Sequence, residues 1–134
     1  MRENSMNTTN NRYVFDAAII GQGACIGQAL GEARIIDDVS TIHDFEDGEI
    51  LVTTMTTPEM VGAMKRAAAV ICSEGGSKSH AAVMASRIGV PCIVGTGQAG
   101  KSIHTGDQLY VNVEGLANAT ASIRVDNSEG ESLQ

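Results

Sequence analysis

An α/β domain is the fold class that this sequence predicts, and three observations carry the prediction. Short apolar or β-branched runs at Glu49–Thr53, Ala68–Cys72 and Cys92–Val94 alternate with two segments of helical periodicity, about Pro58–Ala67 and His80–Ile88. Each helical segment opens on a start signal, Thr56-Thr57-Pro58-Glu59 for the first and Ser79 for the second. A glycine pair and a histidine join the second of these strands to the second helix, the strand–loop–helix order in which free N–H groups and a helix dipole hold an anion. Short strands interleaved with helices are the pattern of parallel strands joined by crossovers.

The chain has 134 residues, enough for one core that buries about two thirds of the unfolded surface. Its formal net charge is −7, it has no Trp, and only 3% of its residues are aromatic. A chain of that kind has neither the basic stripe nor the stacking platform that nucleic-acid binding uses. No apolar run approaches the roughly 18 residues of a membrane span, and Met1-Arg2-Glu3-Asn4-Ser5 lacks the apolar stretch of a signal peptide. A cytoplasmic location and no membrane partner are expected. Cys25, Cys72 and Cys92 are far apart, form no Cys-x-x-Cys pair and have no His at zinc-site spacing. They read as small reduced apolar residues, and no metal site is predicted.

Taken in order, residues 1–12 are polar, rich in Asn and Thr, and predicted to be disordered. Tyr13–Ile20 is apolar enough for a strand. The glycines of Gly21–Gly27 then suggest a turn between strands, because the third falls one residue late for a dinucleotide fingerprint. Gln28–Ile36 reads as a second strand, and Val39–Glu46 as a connecting loop or one helical turn. Asp47-Gly48 turns the chain into Glu49–Thr53, a core strand. Pro58 is pre-set for a first helical turn, and Glu59 complements the dipole there. Met60, Val61, Met64, Ala67 and Ala68 repeat at spacings of three and four. After Ala68–Cys72 the chain enters the glycine–histidine loop. The helix His80–Ile88 follows, with Gly89 as its C-cap ahead of Pro91, and then the strand Cys92–Val94. Thr105-Gly106-Asp107 turns into the alternating strand Gln108–Val113. Ala119–Ile123 forms a last strand, and residues 125–134 read as a flexible polar tail. The folded domain is placed at residues 13–124.

The loop Glu74–His80 concentrates the chemistry. Gly75 and Gly76 remove side chains that keep a ligand off the backbone, and Ser79 is a good N-cap, so His80 falls at the first helical position. Free amide groups and the positive end of a dipole lie beside its imidazole. Gly75, Gly76, Ser77, Lys78 and Ser79 are accordingly the candidate phosphate-binding residues, with His80 as the candidate nucleophile. His43 and His104 fall in turns without partner spacing and read as surface histidines.

A second phosphate motif competes with it. Gly95-Thr96-Gly97-Gln98-Ala99-Gly100-Lys101-Ser102 matches the P-loop pattern letter for letter. A working P-loop needs a long helix after it, and only Ile103, His104 and Thr105 intervene before Gly106-Asp107 turns the chain. A glycine-rich connection between strands is the preferred reading, and a small P-loop nucleotide binder is the least favoured function.

With these residues placed, the chain resembles the mobile phosphohistidine domain of the phosphoenolpyruvate-utilising enzymes. Those enzymes include phosphoenolpyruvate synthase, pyruvate phosphate dikinase and the first enzyme of the sugar phosphotransferase system. The resemblance runs from about Gly21 to Gly115. It rests on Gly48–Val52, Thr56–Met60, Met64–Ala69, Gly75-Gly76, Ser79–Ala82, Gly89–Pro91, Val94–Gly97 and Gly106-Asp107, in that order. It implies a swivelling β/β/α fold and a carrier role for His80, phosphorylated on its distal ring nitrogen. It implies that this chain binds no cofactor itself. Mg and ATP or phosphoenolpyruvate are expected on partner modules resembling the family's ATP-grasp and phosphoenolpyruvate- or pyruvate-binding units, on separate chains. The group would pass between ATP or phosphate and a pyruvate- or phosphoenolpyruvate-type site, making the chain a phosphotransferase component. Two positions depart from the family pattern: Lys78 replaces a hydroxyl residue two before the histidine, and Ser86 replaces an arginine six after it, with Arg87 one place later. Lys78 either pairs with a phosphate or is a solvated loop charge. The alternative function is a non-catalytic regulatory or interaction domain of the same fold, as at the end of some pyruvate kinases.

Overall fold

A computed structural model describes residues 13–126 of the chain. The segment expected to be disordered, 1–12, and residues 127–134 of the expected tail lie outside the described residues. Seven strands are formed: β1 Tyr13–Cys25, β2 Gly27–Ile35, β3 Ile50–Thr53, β4 Ala69–Cys72, β5 Cys92–Val94, β6 Gln108–Gly115 and β7 Asn118–Asp126. Two α-helices, α1 Val61–Arg66 and α2 His80–Ile88, lie between β3 and β5. Short 3-10 turns occupy Val39–Asp44, Pro58–Met60 and Gly97–Ser102.

The strands close into a barrel in the order β1-β5-β4-β3-β2-β6-β7. Pairs β2–β3, β3–β4 and β4–β5 are parallel, whereas β1–β5, β1–β7, β2–β6 and β6–β7 are antiparallel. The side-chain period of two sorts the parallel strands between two cores. Ile50 and Val52, Ala69 and Ile71, and Ile93 face the barrel interior, where they meet Leu109, Val111, Val113, Ala119 and Ala121 of the antiparallel layer. Leu51, Val70, Cys72, Cys92 and Val94 point the other way, toward Met60, Ala63 and Met64 of the first helical segment and Ala81 and Ala85 of α2. Burial on both faces explains why these strands read as continuous apolar runs instead of alternating. The layers are therefore sheet, sheet and helix: the β/β/α arrangement.

Three local expectations change. The glycines between the first two strands do not form a turn, because β1 continues through Cys25 and only Ile26 separates it from β2. A Cβ on Gly21 would lie 2.6 Å from Ile93 Cγ2 and 2.7 Å from the Val94 carbonyl, and one on Gly23 would collide with the Gly115 carbonyl. These glycines are there for close approach inside a strand. The helix expected over Pro58–Ala67 is split into a 3-10 turn and α1, with Ala67 already extended (φ −81°, ψ 147°). The last strand is longer than Ala119–Ile123, running from Asn118 to Asp126, where its end pairs with Tyr13 of β1. Among the described residues, no helix is long and apolar enough to cross a membrane.

Candidate functional site around His80

Helix α2 starts at His80 because Ser79 is extended (φ −69°, ψ 161°) and its Oγ accepts the Ala82 N–H at 3.3 Å. The same hydroxyl donates to the Gly76 carbonyl at 2.8 Å, so one side chain ties the loop to the helix it precedes. At the other end Gly89 takes the left-handed conformation (φ 87°, ψ 26°) and its N–H reaches the Ala85 carbonyl, which stops the helix before Pro91. The underside of α2 is made of small residues, Ala81, Ala82 and Ala85, all buried. They seat the helix closely on the sheet and fix where its first residue stands.

The two loop glycines do different work. Gly75 has φ 105°, which an L side chain rarely adopts, and a Cβ there would lie 2.9 Å from Ser79 Oγ. A Cβ on Gly76 would have its nearest neighbour, Gln22 Oε1, at 3.7 Å, ordinary contact distance. Gly75 is required by the backbone and the cap, while Gly76 keeps the loop surface low.

His80 is half-buried, and its Nδ1 lies 2.7 Å from Thr56 Oγ1. Thr56 is 5% exposed and sits just beyond β3, whereas His80 follows β4. Those strands are parallel neighbours in register from Ile50↔Ala69 to Thr53↔Cys72, so both carboxyl ends reach the same edge of the sheet. A cavity of about 250 Å³ opens there, lined by Gly75, Ser79 and His80 together with Met55, Thr56 and Glu74. Nδ1 is engaged by Thr56, and the direction of that bond depends on the tautomer. An Nε2 lone pair requires the proton on Nδ1, and that N–H then donates to Thr56 Oγ1.

Of the six residues singled out in the sequence, Gly75, Ser79 and His80 meet at this cavity. Ser77 and Lys78 are exposed; Ser77 lines a separate groove with Ser86 and Arg87 on the outer side of α2. Thr56, Met55 and Glu74 are additions. In the sequence either Thr56 or Thr57 can cap the helix; Thr57 occupies the N-cap position and makes no side-chain cap bond. The signal for Thr56 is its place at the carboxyl end of a strand parallel to the one that carries the loop, the edge where ligands of open parallel sheets collect.

The surroundings are apolar and unreactive. Burial pushes the Cys72 thiol up to about 12, with the Thr56 backbone N–H acting weakly the other way, and burial raises Cys92 as well. His43 and His104 are on the surface, their side chains 78% and 84% exposed. The P-loop-like string forms the 3-10 turn Gly97–Ser102, and the chain turns extended at Ile103, so the long helix of a P-loop is not built.

The sequence profile of the family described as "PEP-utilising enzyme, mobile domain" matches residues 45–115, which include the whole His80 cavity. Phosphoenolpyruvate synthase of Pyrococcus furiosus is 50% identical over 95 residues, covering 71% of this chain and 11% of that protein. A probable phosphoenolpyruvate synthase of Archaeoglobus fulgidus is 44% identical over 109 residues, covering 81% of this chain and 14% of that protein. The chain thus spans about a tenth of the length of the curated relatives it matches. Among solved structures, aconitase X of Thermococcus kodakaraensis in its holo form superposes with a TM-score of 0.58 at 20% identity, covering 78% of this chain and 96% of that one, a likeness of fold. The chain belongs to the family of PEP-utilising enzyme mobile domains.

Proposed function

We propose that His80 is a covalent phosphoryl carrier. The observation that carries the reading is the 2.7 Å contact of its Nδ1 with Thr56 Oγ1, which leaves Nε2 for the cavity at the start of α2. In the step this geometry supports, the Nε2 lone pair attacks the phosphorus of a donor. The N–P bond forms, the P–O bond to the leaving oxygen breaks, and the imidazole keeps its proton on Nδ1, hydrogen-bonded to Thr56. Return transfer reverses the same bonds.

The chain's own contribution to that step is orientation. A helix N-terminus stabilises an anion by about 0.3–1 kcal/mol, whereas phosphoryl transfer draws most of its acceleration from metal and cationic clamps. The cavity is lined by one ionisable side chain besides His80, the carboxylate of Glu74. Mg, and the nucleotide or phosphoenolpyruvate, therefore belong in this reading to partner modules on which His80 docks in turn. The relatives are roughly nine times longer than the stretch they share with this chain, which leaves room in them for further modules. The sign of Glu74 also favours a second reading, a non-catalytic interaction domain of the same fold.

Reaction with phosphoramidate, a small donor that needs no partner, separates the two. Half-buried His80 is expected to become phosphorylated ahead of His43 and His104, whose side chains are 78% and 84% exposed. The product should be acid-labile and alkali-stable, map to the peptide containing His80, and vanish in His80→Ala. Phosphorylation that follows exposure alone, with His80 last, would favour the interaction-domain reading.

A further inference from the structure

A second cavity, of about 160 Å³, opens at the carboxyl edge of the parallel strands and is lined by residues other than those around His80. Its floor is apolar, built from Ile35, Val52 and Ile103. Two groups of opposite charge line it, Asp37 and Lys101. Asp37 is held in place: its Oδ1 accepts the Thr54 N–H at 2.8 Å and lies 3.2 Å from the Thr53 hydroxyl, whose proton it shares with the Met55 carbonyl at 3.1 Å. Both bonds fall on one oxygen, so Oδ2 remains available. Lys101 makes no ion pair among the described residues. Ser73 completes the lining; it is 8% exposed, and its buried Oγ has no hydrogen-bond partner among the described residues. A buried hydroxyl left unsatisfied is uncommon and calls for a partner.

We propose that this cavity binds a small aliphatic α-amino acid. The charges are matched in number and opposite in sign, so a zwitterion satisfies both, its ammonium on Asp37 Oδ2 and its carboxylate on Lys101 and the Ser73 hydroxyl. A simple anion would meet Asp37, and a simple cation would meet Lys101. The apolar floor takes an alkyl side chain. The volume corresponds to about five waters at ~30 Å³ each, the space of a ligand of about six to eight heavy atoms. It falls short of the ~300 Å³ at which pockets for larger ligands begin. Mouths of barrels and carboxyl edges of parallel strands are common ligand positions. Thr54 and Ser73 are each followed in sequence by residues that line the His80 cavity.

Titration of the full chain with L-valine, followed by amide NMR, tests the site without reference to phosphorylation. Saturable shifts are expected at Thr54, Ser73 and Lys101. Isobutyrate and isobutylamine, which keep the alkyl group with one charge each, should fail to saturate at the same concentrations. Lys101→Met and Asp37→Asn, both at exposed positions, should each weaken L-valine by about tenfold or more while leaving the rest of the spectrum in place. No saturable shift with L-valine or L-alanine up to about 50 mM would overturn the assignment. So would binding unchanged by Lys101→Met, or isobutyrate binding as tightly as the amino acid.

Discussion

Replacing Thr56 with Val removes one hydroxyl and almost no volume, and it probes the contact on which the carrier geometry depends. Thr56 is 5% exposed and its Oγ1 is 2.7 Å from His80 Nδ1. A methyl group at that position cannot accept the Nδ1 proton. The loss has two parts: the net worth of the hydrogen bond, about 0.5–1.5 kcal/mol, and the cost of leaving a half-buried N–H unsatisfied, about 1–3 kcal/mol. The ring can escape the second by moving its proton to Nε2, but that removes the lone pair that attacks phosphorus. Moving the proton lowers the reactive tautomer by roughly the worth of the hydrogen bond, about 0.5–1.5 kcal/mol, or about two- to tenfold in rate. The rate of His80 phosphorylation by phosphoramidate, read by peptide mapping, should fall by about that factor. Nitrogen-15 NMR of the imidazole should report the Nδ1–H tautomer in the parent and a shift toward Nε2–H in Thr56→Val. Wild-type phosphorylation by a variant that keeps the Nδ1–H tautomer would refute the argument that Thr56 sets the nucleophile.

Gly75→Ala places a Cβ 2.9 Å from Ser79 Oγ at φ 105°; it should cost about 1–3 kcal/mol in denaturant unfolding and slow His80 phosphorylation, whereas Gly76→Ala should do neither. Arg34 holds Glu49 through two bonds, Nε to Oε1 at 2.9 Å and Nη2 to Oε2 at 2.8 Å, with the Glu46 N–H also on Oε1 at 2.9 Å. The guanidinium is the largest cause lowering the Glu49 carboxyl below the ordinary carboxylate range, and burial opposes it. A depressed carboxyl stabilises the fold above its unfolded value and loses that contribution as pH falls through the folded one. Arg34→Met should therefore cost about 2 kcal/mol at neutral pH, with the difference from the parent shrinking under acid in a pH series of unfolding curves. Alkylation at pH 8 followed by mass spectrometry should label half-buried Cys25 first and spare Cys72 and Cys92, whose thiols burial raises; early modification of Cys72 would contradict its packing.

What is legible in the sequence is what short stretches of chain decide for themselves. The helix His80–Ile88 and the strand Cys92–Val94 are found with the bounds expected, because a serine cap, a glycine stop and a proline beyond it act within a turn of where they stand. The glycine–histidine loop is equally local. The β/β/α arrangement, implied by the resemblance, is visible in the continuous apolar runs of β3, β4 and β5, which need cover on both faces.

Contacts across distance are what tertiary structure alone decided. Gly21 and Gly23 read as a turn because nothing near them in the chain shows that Ile93, Val94 and Gly115 will crowd against them. Thr56 reads only as one of two possible caps because the imidazole it contacts is 24 residues further on. Lys101 reads as one residue of a glycine-rich connection, and only the fold brings it to a cavity with Ile35, Val52, Ile103, Asp37 and Ser73. The sequence by itself determined the class of the fold and the loop in which the proposed carrier, His80, stands. The tertiary structure decided which nitrogen of that histidine Thr56 engages, and so which one the proposed transfer would use. Orientation of an imidazole is a property of the atom bonded to its other nitrogen, and parallel pairing of β3 with β4 is what brings that atom, Thr56 Oγ1, to it.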